Sequence, residues 1–350
     1  MPLIPTAVKR PLVSRERAPI LSVRHLQTHF PLDEGTVVAV DGASFDLYAG
    51  QTLGLVGESG CGKSVTARSI MGILDSPGRI VGGEVLFRRR QPADATEVVV
   101  DLASLDPNGA DMRAIRGGDI ALVFQEPMTS FSPVHTIGNQ LIEAILLHRE
   151  VTKKEARRMA IDLLRQVGIP LPEQRIDAYS FQLSGGLRQR AMIAMALSCQ
   201  PSVLIADEPT TALDVTTQAQ ILDLMRNLQQ AYGMAIILIT HDLGVVAEMA
   251  DHVAVMYLGQ VVESAPVDAI FHAPKHPYTQ SLLQSIPHLR SRVREPLASI
   301  AGTVPHPYAR PTGCPFHPRC PAMMPGRCEV QVPSFHRVDV NHDVRCLLYD

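Results

Sequence analysis

The chain has no excess of either charge. Its 32 lysines and arginines face 35 acidic residues, a net charge of −3. That balance excludes an electrostatic nucleic-acid binder. No apolar run approaches the ~20 residues that a bilayer span needs. The first 20 residues contain basic residues and prolines but no apolar signal core, so no secretory signal is expected. No heptad run announces a coiled coil. Tryptophan is absent and aromatics make up only 5%. Six cysteines occur, at 61, 199, 314, 320, 328 and 346, and four of them fall after residue 313. In a cytosolic protein such a cluster points to metal ligation more than to disulfides.

What remains is an ordinary globular composition, 46% hydrophobic over 350 residues. That length suits two domains, or one domain with a large appendage. Residues 1–19 read as a flexible N-terminal arm. Short strand-like runs come next at 21–23, 37–40 and 43–47, and Thr52–Val56 reads as a buried strand. A helix is expected from Lys63 to about Leu74. Residues 84–120 read as a variable insertion, with Arg88–Arg90 in a solvated loop or against a membrane surface. Ile120–Phe124 is a strand candidate. Two helices are expected within 137–168, the second from Lys153 to Val167 and stopped by Gly168. A helix over 183–200 ends before Pro201. Buried strands at 203–206 and 235–240 flank a helix at 215–230, and a hairpin over 253–262 turns at Leu258-Gly259. Alternating strands and helices imply a largely parallel sheet covered on both faces. From about residue 271 the composition shifts to Pro, His and Cys, which marks a boundary.

Gly57-Glu58-Ser59-Gly60-Cys61-Gly62-Lys63-Ser64 is a Gly-x-x-x-x-Gly-Lys-Ser loop between a strand and a helix. Its backbone N–H groups would ring the β-phosphate of a nucleotide. Lys63 would reach the β and γ oxygens, and Ser64 would ligate Mg²⁺. The strand at 203–206 delivers Asp207 to the Mg²⁺ shell and Glu208 one position further, where it would polarise the attacking water. Leu183-Ser184-Gly185-Gly186-Leu187-Arg188-Gln189-Arg190 reads as a helix start that exposes N–H groups and a hydroxyl, a second anion site. Two anion sites on one ATPase suggest that a second copy or a relative closes over the nucleotide.

In order along the chain stand the phosphate loop, Phe124-Gln125, Leu183–Arg190, Val203–Glu208, Ala212-Leu213-Asp214 and Thr240-His241-Asp242. This series resembles an ABC-transporter ATPase over about residues 20–270. The resemblance implies an α/β P-loop NTPase cassette: a RecA-like core, an antiparallel β subdomain, and a helical subdomain at about 130–200. It implies ATP bound by Gly57, Ser59, Gly60, Cys61, Gly62, Lys63, Ser64 and Val65, with Mg²⁺ on Ser64, Gln125 and Asp207. Glu208, His241 and Gln125 would be catalytic. Ser184, Gly185, Gly186 and Gln189 would touch ATP held on a partner subunit, with Asp214 at the dimer seam. Phe30 is the best candidate to stack on adenine, and Tyr48 a poor second.

Gln125–Ser130, His276-Pro277-Tyr278-Thr279 and the segment around Cys314-Pro315 and Cys320-Pro321 narrow the match. They resemble the ATPases of dipeptide/oligopeptide importers, in particular the D-type subunits of dipeptide permeases. Residues 271–350 are then a small Cys-rich C-terminal extension. Cys314, Cys320, Cys328 and Cys346 could hold a [4Fe–4S] cluster or zinc, or remain free thiols; the resemblance implies the iron–sulfur cluster. His317, His336 and His342 are not expected to ligate. It further implies a second, non-identical ATPase subunit, two membrane-spanning permease subunits and an extracytoplasmic binding protein, with the chain peripheral on the cytoplasmic face of the membrane. A soluble ABC ATPase without membrane partners, or import of haem or nickel, is the alternative.

Overall fold

The computed structural model describes residues 18–90, 97–125, 130–211, 213–285, 300–306 and 308–350. The expected arm lies almost wholly outside them, as do Ala212 and Glu126–Thr129. Two sheets carry the fold. The first is antiparallel, in the order β2-β1-β4-β5: Gly35–Leu47, Leu21–Leu32, Arg79–Arg90 and Glu97–Asp101. The short runs expected at 21–23, 37–40 and 43–47 belong to two long strands, because the hairpin turning before Gly35 keeps them paired end to end.

The insertion expected at 84–120 is structured. Val85 and Phe87 of β4 are fully buried while their neighbours face outward, the two-residue period of a half-buried strand. Arg88–Arg90 therefore sit on a strand, not in a solvated loop. Arg88 reaches Glu97 at 3.4 Å and Arg89 reaches Asp119 at 2.7 Å.

The second sheet has eight strands in the order β11-β12-β10-β9-β3-β8-β7-β6. Its centre is parallel: β3 Thr52–Val56, β6 Ile120–Val123, β7 Val203–Asp207, β8 Ala235–Ile239 and β9 His252–Tyr257. Strands β3, β7 and β8 are buried at all five positions, as expected for parallel strands with both faces covered. The hairpin to β10, Gln260–Pro266, turns at Leu258-Gly259 as the sequence suggests.

Helix α1, Lys63–Ile70, is shorter than expected, since Gly72 at φ +60° comes directly after its cap. Helix α2 spans Ala110–Ile115. The helical subdomain comprises α3 Ile137–His148, α4 Lys153–Gln166, α5 Pro172–Arg175 and α6 Gly185–Ala196. A capping box between Thr152 and Glu155 starts α4, and Gly168 at φ +74° lies just past its end. Helices α7 Val215–Tyr232 and α8 Leu243–Met249 return the chain to β8 and β9.

The boundary expected near residue 271 falls inside α9, Val267–His272, and α10 comes after it at Pro277–Gln284. The described residues beyond α10 join the cassette's own sheet and core. β12, His342–Val344, pairs antiparallel with β10, and β11, His336–Asp339, pairs with β12. Cys314, Phe316, Cys328 and Leu347 pack in one core with Val56, Tyr257 and Tyr278. Glu263 of β10, with no exposed surface, fastens this joint. Its carboxylate accepts from the Lys275 N–H at 2.6 Å and the His276 N–H at 3.0 Å, and lies 2.7 Å from the His342 ring. Burial alone would raise this carboxyl; the His342 and backbone bonds outweigh it and hold it below its ordinary range. Its stabilisation is therefore present above the ordinary glutamate value and is lost as pH falls through the lower folded one. Glu263→Leu should strand three polar partners and cost about 3–4 kcal/mol of unfolding free energy, measured by denaturant titration at neutral pH. A change under about 1 kcal/mol would show that the joint is not held here.

Candidate active site

The carboxyl ends of parallel strands are where open α/β sheets bind ligands. Here β3 ends in the phosphate loop, β6 leads to Gln125, β7 to Asp207 and Glu208, and β8 to Thr240 and His241. The phosphate loop wraps the start of α1. Gly62 lies at φ +101°, and a Cβ there would sit 2.4 Å from the Ala39 carbonyl oxygen. Only glycine closes this turn against β2. Ser59 and Gly60 are exposed at the tip, while Cys61 and Lys63 are buried. Cys61 packs into the core, and burial pushes its thiol up.

The Lys63 ammonium donates to the carbonyl oxygens of Gly57, at 2.9 Å, and Glu58, at 3.0 Å. Both acceptors are neutral, and among the described residues no carboxylate forms a salt bridge with it. A buried cation with uncharged partners at a loop of N–H donors fits a phosphate group. The Ser64 hydroxyl donates to Asp207 Oδ1 at 3.1 Å. Burial, opposed by this bond, raises the Asp207 carboxyl. A hydroxyl and one carboxylate beside a phosphate cradle suit Mg²⁺, which takes few protein oxygens and completes its shell with water and substrate.

Glu208 gathers the predicted catalytic side chains. Its Oε1 lies 3.0 Å from His241 Nδ1, and its Oε2 accepts from Gln125 Nε2 at 3.3 Å and from the Thr211 hydroxyl at 2.8 Å. Its backbone has φ +48°, outside the range a glutamate prefers, and its N–H donates to the Ile239 carbonyl at 2.8 Å. Such strain costs of order 1–3 kcal/mol and concentrates at functional sites. Burial raises the carboxyl, but bonds from His241 and Thr211 and the charge of Lys63 outweigh it, so Glu208 is held below its ordinary range and ionised. Thr211 is a member of the site that sequence reasoning misses; nothing in its local pattern marks it.

Ser184 caps α6, its hydroxyl accepting from the Leu187 N–H at 3.4 Å, and Ser184 and Gly185 are exposed. Gly186 is different. A Cβ there would come 2.8 Å from the Thr217 methyl of α7. Asp214 caps α7 through the N–H groups of Thr216 and Thr217, and accepts from the Thr217 hydroxyl at 2.7 Å. The missing side chain at 186 thus admits Thr217 of the same chain, whereas the missing one at 185 leaves open surface. Gly186→Ala should impair ATPase activity, and Thr217→Ser, which removes the clashing methyl, should restore much of it. If the double variant is no better than Gly186→Ala, the clash is not the cause. Gln189 is 2% exposed, inside the helix packing and away from the surface of Ser184 and Gly185. Phe30 is half-buried on β1 against Gly78, and Tyr48 is buried. Val65, on the first turn of α1, is half-buried.

The four C-terminal cysteines are free of disulfides. Cys314, Cys328 and Cys346 are buried and Cys320 half-buried. Burial, and then the neighbouring cysteines, push the Cys314 thiol up to about 11. Among the described residues no group of three or more His, Cys, Asp or Glu is arranged to hold a metal ion. The expected iron–sulfur site is thus not evident from ligand geometry. Cys199 is half-buried on the loop after α6.

The profile of the ABC transporter family matches residues 40–211, and that of the oligopeptide/dipeptide transporter C-terminal region matches 262–328. The dipeptide transport ATP-binding protein DppD of Bacillus subtilis is 48% identical over 332 residues, 95% of each chain. The chain belongs to the dipeptide/oligopeptide family of ABC-transporter ATP-binding proteins. DppD of Escherichia coli is 46% identical over 93% of this chain and 96% of its own. Among solved structures, the dimeric ATP-binding cassette MJ0796 bound to ADP and Pi gives a TM-score of 0.60 at 24% identity. It covers 71% of this chain and 98% of that one. CbiO1 of Clostridium perfringens gives 0.58 at 26% identity, over 73% and 92%. Those structures share the ABC cassette fold with this family member.

Proposed function

We propose that this chain is the ATP-binding and ATP-hydrolysing subunit that powers import of dipeptides or oligopeptides across the cytoplasmic membrane. The observation that carries the reading is the convergence of Gln125 and His241 on an ionised Glu208, one residue beyond the Asp207–Ser64 pair. Lys63 and the loop N–H groups bind the β and γ phosphates, with Phe30 against adenine. Asp207, Ser64 and Gln125 would hold Mg²⁺, which when bound would supply positive charge to the phosphate oxygens. Glu208 accepts a proton from the attacking water, and His241 donates a hydrogen bond where charge develops on the γ-phosphate.

The exposed Ser184 and Gly185 support a partner's nucleotide docking there, and Val215, 84% exposed beside Asp214, supports a subunit seam. The reading is a head-to-tail pair of non-identical ATPases with two composite sites. Among the described residues no helix is long and apolar enough to cross a membrane. Two permease subunits would hold the chain at the cytoplasmic face. Exposed Val134, Tyr179 and Phe181, brought together where Thr136 bridges Tyr179, offer them an apolar footing. An extracytoplasmic binding protein would deliver the peptide.

The packing of Cys314, Cys320 and Cys328 in one core supports a [4Fe–4S] site on Cys314, Cys320, Cys328 and Cys346. Anaerobic purification with iron and sulfide analysis tests that part, and iron-free protein would remove it. The transport reading is tested by uptake of defined peptides in a deletion strain with and without this gene. Loss and restoration of dipeptide or oligopeptide uptake is expected; loss of nickel or haem uptake alone would overturn the peptide assignment.

A further inference from the structure

Glu58, the second residue of the phosphate loop, is gripped from the C-terminal segment. Arg319 forms a two-pronged ion pair with it, Nη1 to Oε2 at 2.7 Å and Nη2 to Oε1 at 2.9 Å. The arginine side chain is only 4% exposed and the glutamate 24%. Arg319 is fixed in turn: its Nε donates to the Ala301 carbonyl at 3.0 Å, and its guanidinium lies 5.9 Å from the centre of the Tyr257 ring. A second bond comes from the same region. The Glu58 N–H donates to the Tyr278 hydroxyl at 2.9 Å, and Tyr278 packs against both Tyr257 and Phe316. The third group of Glu58, its carbonyl, accepts from the Lys63 ammonium. Every polar group of this one residue is thus engaged, two by the C-terminal segment and one by the lysine that would meet the phosphates.

A bidentate arginine pair largely withdrawn from water fixes position as well as adding energy. A loop that must present its N–H groups in one geometry gains from being held before ligand arrives. We propose that Arg319 and Tyr278 are positioning residues of the ATP site, acting through Glu58 to hold the phosphate loop and Lys63 ready for nucleotide. The C-terminal segment is by this account a working part of the ATPase. Because Arg319 immediately precedes Cys320, and Tyr278 packs on Phe316, a rearrangement of the cysteine region reaches the phosphate loop through these two side chains. The proposal rests on the ATP-site reading above.

The test is ATP hydrolysis by the assembled transporter with Arg319→Gln, Glu58→Gln, their double variant and Tyr278→Phe. Glu58→Gln and Tyr278→Phe change few atoms and keep the shape of the side chain, so they remain informative if Arg319→Gln folds poorly. The two charge-removing variants should each raise KM for ATP about tenfold with kcat within about twofold, and Tyr278→Phe about threefold. The double variant should be no worse than the worse single one, since both break one pair, and Arg319→Lys should recover part of the loss. A purely structural bridge would instead lower the melting temperature and leave KM alone. Unchanged KM in folded Glu58→Gln and Tyr278→Phe, or effects that multiply in the double variant, would overturn the proposal. Lys63→Ala serves as the reference: if it too leaves ATP affinity unchanged, the ATP site itself has been misplaced.

Discussion

Glu208→Gln should bind ATP with near-normal affinity and hydrolyse it about a thousandfold more slowly. The amide keeps the shape of the side chain and can still meet the Thr211 hydroxyl and His241, but it cannot take a proton from water. The wild-type carboxylate is poised for that step because burial is outweighed by its bonds to His241 and Thr211. With hydrolysis blocked and binding intact, the nucleotide-bound closed pair should accumulate, visible as an ATP-dependent increase in mass by light scattering when both ATPase subunits are present. Turnover within about tenfold of wild type would remove Glu208 from the role of base.

Lys63→Ala should fail earlier, at binding. The wild-type ammonium is buried and rests on two neutral carbonyl oxygens until phosphate arrives. Charge-assisted bonds to phosphate are the strong class, and losing them should weaken ATP binding about a hundredfold. The fold should survive, since the lost bonds in the free protein are to exchangeable carbonyl groups of the same loop. Equilibrium binding of a fluorescent ATP analogue separates the two variants: Glu208→Gln binds and Lys63→Ala does not. Equal affinity for the lysine variant and the wild type would mean that the phosphates lie elsewhere.

The phosphate loop, Gln125, Asp207, Glu208 and His241 are legible in the sequence because each sits at a fixed offset from a buried parallel strand. The apolar run ends and the functional residue comes next, so strand and site announce each other. The antiparallel sheet is less legible. Its strands are half-buried with bulged register, and β4 runs into three arginines that suggest solvent; only the paired strands β1 and β5 and the carboxylates of Glu97 and Asp119 make that segment a strand. Contacts between distant segments are not legible at all. Thr217 against Gly186, and Arg319 and Tyr278 on Glu58, join residues 31 to 261 positions apart in the chain. No local pattern encodes them. The signature helix shows both sides: its cap, Ser184, can be read from residue type, whereas the burial of Gln189 depends on how α6 packs in the helical subdomain.

The central claim is that ATP hydrolysis at this site drives peptides across a membrane. The most direct measurement is uptake of a radiolabelled dipeptide by proteoliposomes. They would carry this chain, its companion ATPase and two permease subunits, with ATP on the cassette side and binding protein on the other. The account predicts uptake that needs ATP and vanishes with Glu208→Gln in this chain. Equal uptake by the wild-type and Glu208→Gln assemblies, or uptake without ATP, would contradict it.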